Sequence, residues 1–431
     1  MPHWEPPFMQ CRWRYVSAVK SKLFKPKPLV SGDGALWLFL PLATGNIILP
    51  VAVIAMPLQG AGGATFAITW SASCETPPAE AVTALEYAAS LWGTWLSSTV
   101  PIEASACWTP NLIGGDALGT GMPTEYIYNF PGAPLIDVAY PIALANALSG
   151  SDLNPTRVDM TLQFKSDVTW SFALTPTQRL APAAGEDFVA IALHELAHGL
   201  GFVGNMYEER NVGFCGHPLY PCPTPYDWFA MDSSGVRLLD SPTPLVLGTL
   251  LESDANFGGP NTVAANGGLT AKLYAPEEFS QGSSLSHLDQ ITFDGSANDL
   301  MTPGYNGGAI RHPGPVTLAI FQDMGWLRAD GVPNVVIAPP PTLSAGRATT
   351  LTGELLWPAY AGQPITTTWT ATDQLTVTHP GLTRTDAVAF TWVTPGLKHV
   401  TLTATDGVSA AATIRTVFVR AALFLPLVLR Q

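Results

Sequence analysis

Residues 194–202 read His-Glu-Leu-Ala-His-Gly-Leu-Gly-Phe. His194 and His198 are four apart, so on an α-helix they leave one face about a turn apart. At that spacing two neutral imidazoles bind one Zn²⁺ at about 2.0–2.1 Å each. Glu195 stands beside them, where a carboxylate can take a proton from a water on the metal. Val189, Leu193, Leu196 and Leu200 supply an apolar stripe that anchors such a helix in a core. Gly185, Glu186 and Asp187 mark its N-terminal end, where negative charge suits the helix dipole. Gly199 and Gly201 predict an abrupt end, because glycine accepts the left-handed geometry of a C-cap. Without such flanks, the two histidines would read as the solvated face of an ordinary helix.

A metal helix that stops after its second ligand lets the chain return with a third. His-Glu-x-x-His-x-x-Gly over residues 194–201 resembles the metzincin metalloproteases, which usually place a third His three residues further on. Gly204 stands there in this chain and cannot bind metal. Downstream, residues 284–303 read Ser-Leu-Ser-His-Leu-Asp-Gln-Ile-Thr-Phe-Asp-Gly-Ser-Ala-Asn-Asp-Leu-Met-Thr-Pro. His287 followed by this Met-containing stretch resembles the leishmanolysin branch, in which a long insertion separates the helix from the third His. The resemblance implies one catalytic Zn²⁺ held by His194, His198 and His287, Glu195 as general base, and Met301 in a turn beneath the metal. It also implies hydrolysis of peptide bonds in a protein or peptide substrate. The residues themselves agree: Pro303-Gly304 is a turn signal, and a polarizable Met packs well under a ligand cluster.

Other third ligands stay open from the sequence. His217 lies between Cys215 and Cys222 in a Pro-rich loop, and His312 precedes Pro313. A gluzincin-type site would take Glu252, Glu277 or Glu278, but none sits on an amphipathic second helix. A non-catalytic adhesion or binding protein with a structural metal is the other class, and it has no use for the general base Glu195.

Residues 1–34 carry six Lys or Arg against Glu5 and Asp33, a net of +4 that leaves −17 for the remainder of a chain with net charge −13. Such a surface repels nucleic acid. Ala35 to Leu58 is uncharged over 24 residues, and basic residues before an apolar run are the layout of an export signal. Residues 1–64 are therefore expected to be a cleaved signal or a retained anchor, with membrane association only if the segment is kept. Either way the rest of the chain is secreted or at the cell surface, and it is expected to be a monomer. Cys11 falls in this leader, leaving Cys74, Cys107, Cys215 and Cys222. Of the three possible pairings, Cys74–Cys107 and Cys215–Cys222 are the natural ones for an exported chain. No Cys-x-x-Cys supports a second zinc site, and no Ca²⁺ site is readable.

The pattern predicts a helix over 78–97, with Val82, Leu85, Ala89, Trp92 and Leu96 on one face, then a strand over 100–108. It also predicts an alternating strand over 157–164 and a closing helix over 314–328. Residues 205–283, rich in Gly, Pro, Asn and Ser, read as a loop-heavy insertion. Residues 329–346 read as a linker around Pro339-Pro340-Pro341. Short Thr/Val-rich strands over 347–421 follow the rhythm of a β-sandwich. They resemble a polycystic-kidney-disease-type, immunoglobulin-like module, with Thr372-Asp373-Gln374 where that family has Gly-Asp-Gly. His379 and His399 read as surface or packing residues there, and residues 422–431 form an apolar tail. The fold expected is an α+β metzincin-like catalytic domain, residues 65–328, followed by an all-β immunoglobulin-like sandwich.

Overall fold

The computed structural model describes residues 62–112, 117–175, 185–216, 221–305, 307–356, 364–382 and 384–421. The export segment up to residue 61, Cys11, His217 and the tail from 422 lie outside the described residues. Among those described, no helix is long and apolar enough to cross a membrane.

The first half is built on a four-stranded sheet and two helices. Strand β1 (Phe66–Trp70) is followed by helix α1 (Ala79–Trp95), and β2 (Ile102–Thr109) pairs parallel to β1. Strand β3 (Gly119–Pro123) and strand β4 (Met160–Lys165) complete the order β1-β2-β4-β3, with β3 alone antiparallel and at the edge. Helix α2 (Phe188–Gly199) carries the His-Glu-x-x-His run.

Alanines at 81, 84, 88 and 89 on the buried face of α1 allow close packing of the helices. Trp92 then donates its indole N–H to the Leu193 carbonyl at 3.0 Å. Helix α1 ends at Trp95, two residues earlier than the periodicity suggests, because Leu96–Ser97 extends to pair with Leu327–Arg328. Helix α2 is buried on nearly all sides, so its four-residue apolar stripe understates its burial. Its N-cap is Asp187, whose carboxylate accepts from Ala190 N–H.

The two glycines after His198 have different tasks. Gly201 does adopt positive φ, +113°, and turns the chain back. Gly199 stays helical; its missing side chain makes room for Met160, whose Sδ would lie 2.6 Å from an added Cβ. Helix α3 (Pro315–Met324) ends at Gly325, φ +117°, and the indole of Trp326 then donates to the Leu200 carbonyl.

Residues 205–283 contain more regular structure than a loop-heavy insertion. A hairpin pairs Met206–Glu209 with Val212–Cys215, and helices span Pro225–Trp228, Pro244–Leu251 and Pro260–Ala265. The prolines that read as loop signals each occupy the first helical turn, where a missing N–H costs nothing. Thr224 and Thr243 cap two of these helices. Disulfides join Cys74 to Cys107 and Cys215 to Cys222.

The C-terminal part is a two-sheet sandwich around Trp369, Trp392, Ile365, Val400 and Leu402. One sheet pairs Asn334–Ile337, Thr349–Leu356 and Thr385–Phe390. The other joins Leu343–Ser344, Ala410–Arg420, Gly396–Thr405, Ile365–Ala371 and Val377–Leu382. Much of the expected linker therefore belongs to the sandwich, because Val335 and Ile337 insert their side chains into its core. The sandwich is docked on the first half. Asn261 exchanges two hydrogen bonds with the Ala412 backbone at 2.9 and 3.0 Å, and Arg415 donates to the carbonyls of Gly132, Ala133 and Ile337.

Candidate metal centre

His194, His198 and His287 meet at one point: their Nε2 atoms lie 3.0, 3.2 and 3.3 Å apart pairwise. They form the one cluster of three metal-binding side chains among the described residues. Glu252, Glu277 and Glu278 are not in it. His312 is not in it either; it is exposed, accepts from Gly314 N–H and packs against Trp95.

Each imidazole is oriented by a backbone carbonyl on its other nitrogen. The His194 Nδ1 faces Leu300 O at 2.6 Å, His198 Nδ1 faces Phe202 O at 2.7 Å, and His287 Nδ1 faces Ser283 O at 2.9 Å. A carbonyl only accepts, so the proton belongs on Nδ1 and each Nε2 presents a lone pair. Burial lowers all three pKa values, that of His287 to about 3, so the rings stay neutral. Three bare lone pairs within 3.3 Å repel one another unless a cation lies among them. Donors about 2.0–2.1 Å from a tetrahedral ion lie about 3.4 Å from each other. The donor set and its spacing fit zinc.

The third histidine reaches the cluster through an unusual backbone. Leu285, two residues before it, is fully buried with φ +66°, a conformation that costs an L-residue about 1–2 kcal/mol. It is held from three sides. Its N–H donates to Tyr274 O, its carbonyl accepts from the Tyr226 hydroxyl at 2.9 Å, and its side chain fills the space left by Gly204. An added Cβ on Gly204 would lie 2.5 Å from Leu285 Cδ2. The position that lacks a histidine is thus occupied by the loop that delivers one.

Met301 is fully buried in a short 3₁₀ turn, Asp299–Met301. This turn meets the cluster through its backbone: Leu300 O faces His194 Nδ1, and Met301 O accepts from the N–H of Leu288, the neighbour of His287.

Glu195 is buried beside the cluster, and desolvation raises its pKa to about 8. It lines the same cleft of about 1050 Å³ as the three histidines and strand β3. Gly119 and Gly121 of β3 press against it, a contact that the alternating Gly-Thr-Gly could have signalled, since glycine inside a strand marks close approach. The carbonyls that orient the rings carry no such signal, because any residue supplies one.

Residues 334–419 match the PKD domain. A segment of 146 residues, 34% of the chain, is 32% identical to the ciliated left-right organizer metallopeptidase of Mus musculus. The protein of that name from Homo sapiens is 29% identical over 145 residues, 33% of the chain. The matched segments span 18% and 16% of those relatives' own length. The chain is therefore similar to a metallopeptidase over about a third of its length, and it carries a PKD domain at its C-terminal end.

Proposed function

We propose that this chain is a secreted, zinc-dependent endopeptidase whose residues 65–328 form a metzincin-like catalytic domain of the leishmanolysin type. The observation that carries the reading is the convergence of three neutral Nε2 atoms beside the buried Glu195, in a cleft bordered by an edge strand. His194, His198 and His287 would hold the ion. Zinc, when bound, acidifies water and polarises a carbonyl.

The chain's own residues supply the rest. The outer edge of β3 offers backbone groups to which an extended peptide adds as a further strand, laying its scissile bond across the cleft. Glu195 takes a proton from the attacking water as oxygen bonds to the carbonyl carbon, and hands it to the amine as the C–N bond breaks. The carbonyls of Leu300, Phe202 and Ser283 keep the rings in the required tautomer. Two disulfides and a PKD domain suit an extracellular setting.

The test is a chelation cycle on the purified chain. Casein hydrolysis should stop on removal of metal and return with about one equivalent of Zn²⁺. Hydrolysis that persists in the metal-free protein would contradict the proposal.

A further inference from the structure

Strand β3 contains Gly119-Thr120-Gly121, and both glycines face α2. Neither has a positive φ, so backbone conformation does not require glycine at either position. In a strand interior glycine is otherwise unfavourable. Space is the remaining reason, and the two positions differ in what fills it.

A Cβ on Gly121 would lie 2.0 Å from the Glu195 carbonyl oxygen and 2.7 Å from its carbon, so this glycine lets β3 lie against the backbone of α2. A Cβ on Gly119 would instead meet the side chain of Glu195, at 2.8 Å from Cγ and 3.0 Å from Oε1, with Ile191 Cγ2 at 3.1 Å. The carboxylate of Glu195 occupies the niche that a side chain at 119 would take.

We propose that Gly119 is a positioning residue for the general base: its missing side chain leaves the room that the Glu195 side chain takes up in the cleft it shares with the three histidines. The same strand therefore borders the cleft with its edge and makes room for the base with its glycine. The inference rests on the peptidase reading, because Glu195 has a base to be only if that reading holds.

Gly119→Ala in the full chain is the test, since alanine suits a strand better than glycine does and the three nearest atoms it meets belong to side chains. Displacing a reacting group by about 1 Å costs on the order of 10²-fold in rate. The expected result is a kcat lower by about that factor, with zinc content and KM near those of the unsubstituted protein. A thermal cycle with Glu195→Ala reads the same contact without activity. The Tm loss caused by Gly119→Ala should shrink once Glu195 has no Cγ, leaving only the contact with Ile191 Cγ2. Unchanged kcat, or Tm shifts that simply add, would overturn the proposal. Tm coupling in a zinc-loaded protein that hydrolyses nothing would instead reject the peptidase reading, and Gly119's catalytic role with it.

Discussion

Arg311 Nη1 lies 2.9 Å from Asp187 Oδ2, joining the segment after the Met301 turn to the N-cap of helix α2. The Asp187 side chain is fully buried and that of Arg311 is 10% exposed. Arg311 also donates to the carbonyls of Ala173, Leu174 and Ile310, so its charge is spread over four acceptors. Removing one partner from a buried ion pair leaves the other uncompensated, at a cost of about 3–5 kcal/mol. Arg311→Met should lower unfolding stability by that order in chemical denaturation. A change under about 1 kcal/mol would place the pair among the weak surface bridges.

Removing the third imidazole tests the ligand set. His287→Ala should release zinc under mild chelation, while His312→Ala should hold it, because His312 lies outside the cluster and accepts from Gly314 N–H in its own loop. Metal content after dialysis against a chelator distinguishes them. Equal retention by both variants would remove His287 from the site.

Tyr226 acts one step further out. Its hydroxyl satisfies the carbonyl of Leu285, the strained residue two before His287. Tyr226→Phe leaves that carbonyl buried without its donor, costing about 1–3 kcal/mol. Zinc dissociation should quicken in the variant while its far-UV circular dichroism stays unchanged. A variant with normal stability and normal zinc retention would show that the loop holds its shape without this bond.

The sandwich should melt together with the first half. Asn261 links Ala412 to Asp323 of α3, and Arg415 pins the carbonyls of Gly132 and Ala133. Calorimetry on the full chain should show one cooperative transition, and Asn261→Ala with Arg415→Met should split it in two. Two transitions in the unsubstituted protein would mean that these contacts do not couple the parts.

Within the sandwich, burial raises the pKa of Asp386, but bonds from Thr367, Trp369, His379 and the Ala387 N–H outweigh it and hold the carboxyl below its ordinary value. A depressed folded pKa contributes stability above the unfolded value near about 3.9, lost as pH falls through the folded value. The indole of Trp369 donates to this carboxylate at 2.7 Å, so its fluorescence reports the change. The Trp369 signal should shift only in strong acid, and Asp386→Asn should abolish the shift.

What the sequence made legible follows from range. The spacing of His194 and His198 is local, and helix geometry converts it directly into a shared face. The sandwich strands are likewise local alternations. Residues 205–283 are harder, because proline marks a helix start as readily as a loop, and a threonine cap distinguishes the two only before Pro225 and Pro244. Asn334–Ile337 reads as linker by its place beside a Pro-rich run, yet it pairs with a strand that begins at Thr349. Arg311–Asp187, Tyr226–Leu285 and Gly119–Glu195 each join residues at least 59 positions apart. No periodicity encodes such pairs; they exist only once the chain is packed.

The most direct test of the account measures zinc content and casein hydrolysis on the same preparations of the unsubstituted chain and Glu195→Ala. Zinc should be equal in both, because the three imidazoles are untouched, and hydrolysis should fall by about 10²–10⁴-fold or more in the variant. Equal hydrolysis by a zinc-loaded Glu195→Ala protein would contradict it.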